Sequence, residues 1–393
     1  MPGPLAGVRV VDLTAIISGP MATQIMGDQG ADVIKVEPLG IGDMMRYLGA
    51  QRNGVGALFS VTNRSKRSVA LDLKNDEGKA LLTELVKSAD VFVQNFRPGA
   101  IGRMGFGYED VKKLNPDVIF VSISGFGQDG PYAGQRVYDA IIQATAGFAD
   151  TQTDPETGKP TLYKTLVCDK VTALTVSQAI TSALFARANG QGGQHLKINM
   201  LDASIAFLWP DAMYNHTFLE DFERTSDFSD FYKIGVTKDG FVSSSALSDA
   251  EFQSLCRALD RPDLAEDPKM ATMQARIQNA DLMQSTFEDA MAQMTTDYLV
   301  KRMHEEDVPG ARVNKREEIV KDPQVINNGI VVETTHPVAG KMQEPRPAPD
   351  FGATPAEIRR PSPTLGQHTE EVLIELGLPA DRIGKLREAN VIN

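Results

Sequence analysis

The chain has 393 residues, 42% apolar and 23% charged, the balance of a folded protein, so a disordered reading is excluded. At roughly 150 residues per domain, the length predicts two or three domains. The 40 basic and 52 acidic side chains give a formal charge of -12, which repels a phosphate backbone and leaves nucleic-acid binding without support.

The first third of the chain alternates strand-like and helix-like segments. Gly7–Leu13 is a valine-rich run of the kind that forms a buried parallel strand. Gly19 and Pro20 open a helix that Gly30 closes, and residues 31–37 form the next strand. A strand over 68–73 precedes a helix over 76–88, and 90–94 is again a strand. A short helix over 108–114 leads to a strand over 117–122. This rhythm predicts an α/β fold with a Rossmann-like parallel sheet covered on both faces. The first strand-to-helix turn carries no G-x-G-x-x-G, so a dinucleotide site has little support.

Further on, a long helix is predicted over 170–188, a strand over 195–200, and a helix from Leu201 that stops at Pro210. The acidic, aromatic residues 217–231 read as a linker. A smaller α+β domain follows over 232–326, with a hairpin around Lys238-Asp239-Gly240 and helices over about 249–304. The large domain is thus 1–216, and 327–393 returns to it through a Pro-rich extended connection, ending in a short helix over 369–376 that Gly377 closes.

Asp169, in LVCDKVTAL at the mouth of the long helix, is the first chemical candidate. A helix N-terminus stabilises its negative charge, and a carboxylate beside a cleft can act as nucleophile or general base. Asp at a helix start is equally a plain cap. Asn95-Phe96-Arg97-Pro98-Gly99 follows a strand, where parallel sheets bind ligands, and offers an amide, an aromatic face and a guanidinium; a simple surface turn is the alternative. Arg64, Lys66 and Arg67, with Lys74, Arg103 and Arg136 later, suggest either an anionic small ligand or a solvated charged face. Cys168 reads as a small buried hydrophobe. With two cysteines, Cys168 and Cys256, a disulfide framework is excluded and a reducing, cytoplasmic compartment is expected. No segment approaches about 18 uninterrupted apolar residues and no secretory leader is read, so no membrane partner is expected. The histidines show no metal-binding spacing, and no metal is assigned.

Together the segments PLAGVRVVDLTAIISGPMATQIMGDQGADVIKVE, NRSKRSVALDLK, VQNFRPGAIGRMGFG, SISGFGQDGPYA and PTLGQHTEEVLIELG resemble the family III CoA-transferases, in this order and over nearly the whole chain. The resemblance implies that Asp169 is the catalytic carboxylate. It would attack an acyl-CoA thioester to form a mixed anhydride, then an aspartyl-CoA thioester, before an acceptor acid takes the CoA. Coenzyme A, as a substrate thioester, would meet Ile16 and Ile17 at the thioester end. Leu71 and Lys74 would lie near the adenine and phosphates, and Asn95, Phe96 and Arg97 in the nucleotide loop with Arg103 beyond it. Arg136 and Tyr138 would lie along the pantetheine arm. The resemblance further implies an obligate homodimer of interlocked rings, with an acyl-CoA donor and a carboxylic acid acceptor as small-molecule partners. Formyl-CoA transferases carry a glutamine where Ile17 stands and a glycine-rich loop in the second domain that is missing here, which disfavours oxalate and formate. The α-methylacyl-CoA racemases of the same family place a histidine near Tyr138, and tyrosine is a poor base near neutral pH; racemisation through Asp169 is the alternative activity. Gln143, Tyr163 and Lys164 are candidate acyl-pocket residues.

Overall fold

The computed structural model describes residues 1–225, 227, 232–246 and 248–393. The chain divides into two compact units, Met1–Thr217 with Asn328–Asn393, and Phe218–Asn327. Part of the expected linker, residues 226 and 228–231, lies outside the described residues.

Six short strands make the central sheet of the larger unit: β1 (Arg9–Asp12), β2 (Asp32–Glu37), β3 (Lys66–Ala70), β4 (Val91–Gln94), β5 (Ile119–Ser124) and β6 (His195–Asn199). All are parallel, in the order β3-β2-β1-β4-β5-β6. The order reverses between β1 and β4, which opens a crevice outside their carboxyl ends. Alternation along each strand sorts side chains to two faces. Val10, Val91, Val93, Ile119 and Val121 face one cluster with α1 (Ser18–Asp28) and α6 (Val167–Ala186). Val11, Phe92 and Phe120 face the other, with α3 (Asp76–Lys87), α4 (Tyr108–Leu114), α11 (Thr369–Glu375) and α12 (Ala380–Glu388). Each such side chain, fully buried, contributes about 1.5–3 kcal/mol. The sheet is therefore sealed on both faces, and only its ends remain for ligands.

Three elements depart from the sequence reading. The long helix α6 begins at Val167, so Asp169 lies inside its first turn. The helix α7 (Met200–Ala212) runs through Pro210. The missing amide there falls in the last turn, where the Met213 amide still reaches the Trp209 carbonyl and closes the helix. In the Pro-rich return, Val331–His336 (β10) and Gly340–Pro345 (β11) form an antiparallel hairpin where an extended chain was expected. His336 organises it: Nδ1 accepts from the Val338 and Ala339 amides, and Nε2 donates to the Ser362 carbonyl.

In the smaller unit, β7 (Gly235–Val236), β8 (Phe241–Ser244) and β9 (Gly310–Arg312) form an antiparallel sheet, the first two joined by the expected hairpin. Helices α8 (Asp249–Ala258), α9 (Ala280–Ala292) and α10 (Thr296–Glu305) bury Val242, Leu255, Met291, Leu299 and Met303 with it. Ser248 and Glu251 close a capping box at the start of α8. Among the described residues no helix is long and apolar enough to cross a membrane.

Candidate active site

Asp169 projects from the first turn of α6, and the residue is only 6% exposed. The Asp169 backbone amide donates to Asp139 Oδ2 at 2.8 Å. Asp139 begins the helix α5 (Asp139–Ala146) and is itself buried. Gln143, one turn on, donates to Asp139 Oδ1 at 2.6 Å and to the Tyr163 and Thr165 carbonyls, and its own carbonyl oxygen accepts from the Tyr163 amide. A single glutamine thus ties the segment before α6 to the start of α5.

Among the described residues no cation forms an ion pair with either of these buried carboxylates. Burial first, then the negative charge of Asp139, push the Asp169 carboxyl up to about 6. The opposing influence comes from Ser18, whose hydroxyl and backbone amide draw the carboxyl back down. Ser18 is the first residue of α1, so Asp169 lies in the first turn of its own helix and under the influence of the start of a second. The turn from β1 into α1 requires Gly19, because a Cβ there would fall 2.4 Å from Thr14 Cβ.

The loop joining β1 to Ser18 is held from two sides. Asn95 Oδ1 accepts from the Ala15 amide at 3.0 Å, and Asn95 Nδ2 donates to the Ala15 carbonyl at 2.8 Å, a clamp across the switch point. On the other side Asp43 Oδ1 accepts from the Ile16 amide at 3.2 Å. Lys35 Nζ donates to Asp43 Oδ2 at 3.0 Å and to the Thr14 carbonyl at 2.7 Å. Between these clamps Ile16 has φ +75°, a left-handed conformation that costs a β-branched residue about 1–3 kcal/mol.

The remaining sequence candidates follow strand ends. Phe96 is half-buried and its amide donates to Gln94 Oε1, while Arg97 and Arg103 are exposed. Gly99, at φ +78°, starts the short helical turn Ala100–Arg103, and its missing side chain leaves room for the Arg103 guanidinium. Lys74 is exposed just before α3, and Arg136 and Tyr138 are exposed just before α5. Leu71 follows β3, but its side chain is wholly buried in the core and only its backbone borders the strand end. Ile17 is buried against Met45 and Phe59, and its side chain offers a ligand no hydrogen bond. Gln143 is fully engaged within the protein, while Lys164 is exposed. Burial pushes the Cys168 thiol up to about 11 and makes it a poor nucleophile.

The basic run forms neither a ligand cradle nor a solvated face. Arg64 pairs with Asp28 and Glu344, Lys66 with Asp12, and Arg67 with Asp32, Glu371 and Glu375. These cations lock β3 to its neighbouring strands and to the C-terminal segment.

Asp139, Ser18, Lys35 and Asp43 went unnoticed in the sequence. The one available signal for Asp139 was its place directly after Tyr138 at a helix start. Among the described residues no group of three His, Cys, Asp or Glu is placed to hold a metal.

A parallel sheet with a switch-point crevice and a buried carboxylate in the first turn of one of its covering helices define an α/β protein of the ligand-binding kind. The chain belongs to the CoA-transferase family III, whose model matches residues 5–369. It is 34% identical to the human succinyl-CoA:glutarate CoA-transferase, over 99% of this chain and 90% of that one. A formyl-CoA:oxalate CoA-transferase of Streptomyces coelicolor is 32% identical over 99% of both chains. A CaiB/BaiF family protein of Brucella suis, known from its crystal structure, superposes with a TM-score of 0.85 at 31% identity, covering 96% of this chain and 100% of that one. The family's substrates are CoA thioesters and carboxylic acids.

Proposed function

We propose that this protein transfers CoA from an acyl-CoA to a free carboxylic acid by way of covalent intermediates on Asp169. The observation that carries the proposal is the burial of Asp169 beside a second buried carboxylate, Asp139, close to the start of α1. Desolvation leaves its carboxylate reactive, and a carboxyl near 6 is still ionised at neutral pH. An Asp169 oxygen attacks the thioester carbonyl, the carbon–sulfur bond breaks, and CoA leaves as thiolate from a mixed anhydride. The thiolate then attacks the aspartyl carbonyl carbon, releasing the donor acid as carboxylate and leaving an aspartyl-CoA thioester. An acceptor carboxylate repeats the steps in reverse and regenerates Asp169, with no net proton consumed. Helix N-terminal amides such as that of Ser18 are the donors suited to each oxyanion.

On this reading Ile16 and Ile17 border the thioester through their backbone. Asn95, Phe96, Arg97 and Arg103 serve the nucleotide, with Leu71 and Lys74 near its adenine and phosphates, and Arg136 and Tyr138 flank the pantetheine arm. The solvated guanidinium groups of Arg97, Arg103 and Arg136 are free to meet phosphate oxygens. The assembly proposed is an interlocked homodimer. Its support within the larger unit is the exposure of Leu174 and Phe185 on α6 and of Phe207 and Trp209 on α7, apolar surface suited to a second copy. The two buried free thiols fit a cytoplasmic location.

The test is an intact-mass spectrum after brief incubation with a panel of acyl-CoAs that includes succinyl-CoA. A gain equal to CoA less one water, absent in Asp169→Ala, is the expected result. No adduct with any donor, together with deuterium entering the substrate α-carbon from heavy water, replaces this reading with racemisation.

A further inference from the structure

The left-handed Ile16 sits two residues before Ser18, and Asp43, Lys35 and Glu37, which hold it, are buried. Asp43 is at the centre. Its Oδ1 accepts from the Ile16 amide at 3.2 Å and from the Met45 amide at 3.0 Å, so one oxygen joins the β1 exit loop to the turn Met44–Tyr47. Its Oδ2 is fixed by Lys35, a side chain with no exposure that also holds the Thr14 carbonyl. Its own amide donates to Glu37 Oε2 at 3.0 Å, and Glu37 is in turn paired with Arg46 at 2.6 Å. Arg46 lies 3.8 Å from the ring centre of Phe59, which packs on Ile17. A full set of charged partners is thus spent on keeping one strained isoleucine in place, and the Asn95 clamp fixes only the preceding residue.

We propose that Asp43 is a positioning residue for the transfer reaction: it holds Ile16 in its left-handed conformation and thereby aims the Ser18 amide at the Asp169 carboxylate. The side chain of Asp43 bonds Ile16, Met45 and Lys35 and not Asp169; it acts through the loop. The proposal rests on the reading of Asp169 as the group that carries CoA. Without Asp43, Ile16 relaxes to negative φ and Ser18 turns away. Asp169 then loses the donors that oppose its desolvation and its repulsion by Asp139. The oxyanion formed at Asp169 loses the same amide.

Three variants test this: Asp43→Ala, Ile16→Gly and the two combined. For each, the rate of adduct formation at saturating acyl-CoA is followed against pH, with thermal melting as a check on folding. Asp43→Ala is expected to lower the saturating rate by about 10²-fold, the order that a 1 Å misplacement costs, and to move the acid limb of the profile to higher pH. Glycine adopts positive φ without strain and needs no clamp. The combined variant is therefore expected to regain about tenfold or more of the lost rate, with the limb returned toward its wild-type position. A merely structural Asp43 would lower the melting temperature, leave the limb in place and gain nothing from glycine; that outcome overturns the proposal. Should Asp43→Ala melt below the assay temperature, Asp43→Asn takes its place. It keeps an oxygen for the Ile16 amide but sets an NH₂ group against Lys35, and the expected limb shift is smaller with the same rescue. Wild-type protein that forms no adduct refutes the Asp169 reading, and this proposal with it. A normal wild-type adduct with an unmoved limb in the variant refutes this proposal alone.

Discussion

Asp12 and Asp169 are both buried carboxylates near the start of α1, and their surroundings are opposite. Asp12 lies at the end of β1, between Lys35 of β2 and Lys66 of β3, and accepts from Lys66, Thr14 and Thr23. Burial opposes its charge, but these cations and donors win and bring its carboxyl down to about 2. Asp169 has Asp139 where Asp12 has lysines, and its carboxyl rises to about 6. One pocket spends charge on cohesion. The other sets two carboxylates side by side, at a cost in stability, and this is the pattern expected of a reacting group.

The contrast can be broken from either side. The largest effect expected is on turnover: Asp169→Ala should lower it by about 10⁴-fold or more, in line with removal of a nucleophile, while Tm is kept or raised. Next comes Asp12→Asn, which leaves the buried Lys66 charge with only the Pro20 carbonyl and Asn63 and no carboxylate. Urea unfolding at pH 6 should register a loss of about 3–5 kcal/mol. Lys66 is already pulled down to about 8 by burial, and without Asp12 it falls further. It is then neutral at pH 9, so the loss should be smaller there.

Asp169→Asn should act in the opposite sense. With the folded carboxyl near 6 and the unfolded one near 3.9, the folded state holds the extra proton between these values. Stability therefore falls as pH rises through that window. At pH 8 the variant should be more stable than wild type by about 3 kcal/mol, and the difference should vanish below about pH 4. Asp12 follows the other sign: its contribution is complete above about pH 4 and is lost toward pH 2. Asn95→Ala, which removes both hydrogen bonds to Ala15, is the smallest of the set. A loss of about 1–3 kcal/mol in unfolding is expected, with a raised KM for acyl-CoA if the loop it clamps receives the thioester.

The two pockets were not equally legible in the sequence. The valine-rich runs announced β1, β2, β4 and β5, because a strand buried on both faces must be continuously apolar. Asp169 stood out because a carboxylate after an apolar run at a helix mouth is a local pattern. Arg64, Lys66 and Arg67 misled because their partners are distant in sequence: Lys66 meets Asp12, and Arg64 meets Glu344 in β11. A charge run read alone cannot disclose that its counter-charges come from other strands. The hairpin Val331–His336/Gly340–Pro345 escaped notice for a related reason. Its strands are polar, with few apolar residues to show an alternating pattern, and Pro345 closes the second. The strain at Ile16 left no mark, since nothing in isoleucine foretells a positive φ that only Asp43 and its neighbours enforce.

The most direct test of the central claim asks which residue carries CoA. Borohydride reduces a thioester to an alcohol, so quenching the enzyme with borohydride during turnover and mapping its peptides converts an aspartyl-CoA thioester into homoserine at its own position. The account predicts homoserine at residue 169 and at no other aspartate, in an amount that follows the CoA adduct. Turnover that leaves Asp169 intact, or homoserine at Asp139 instead, would contradict it.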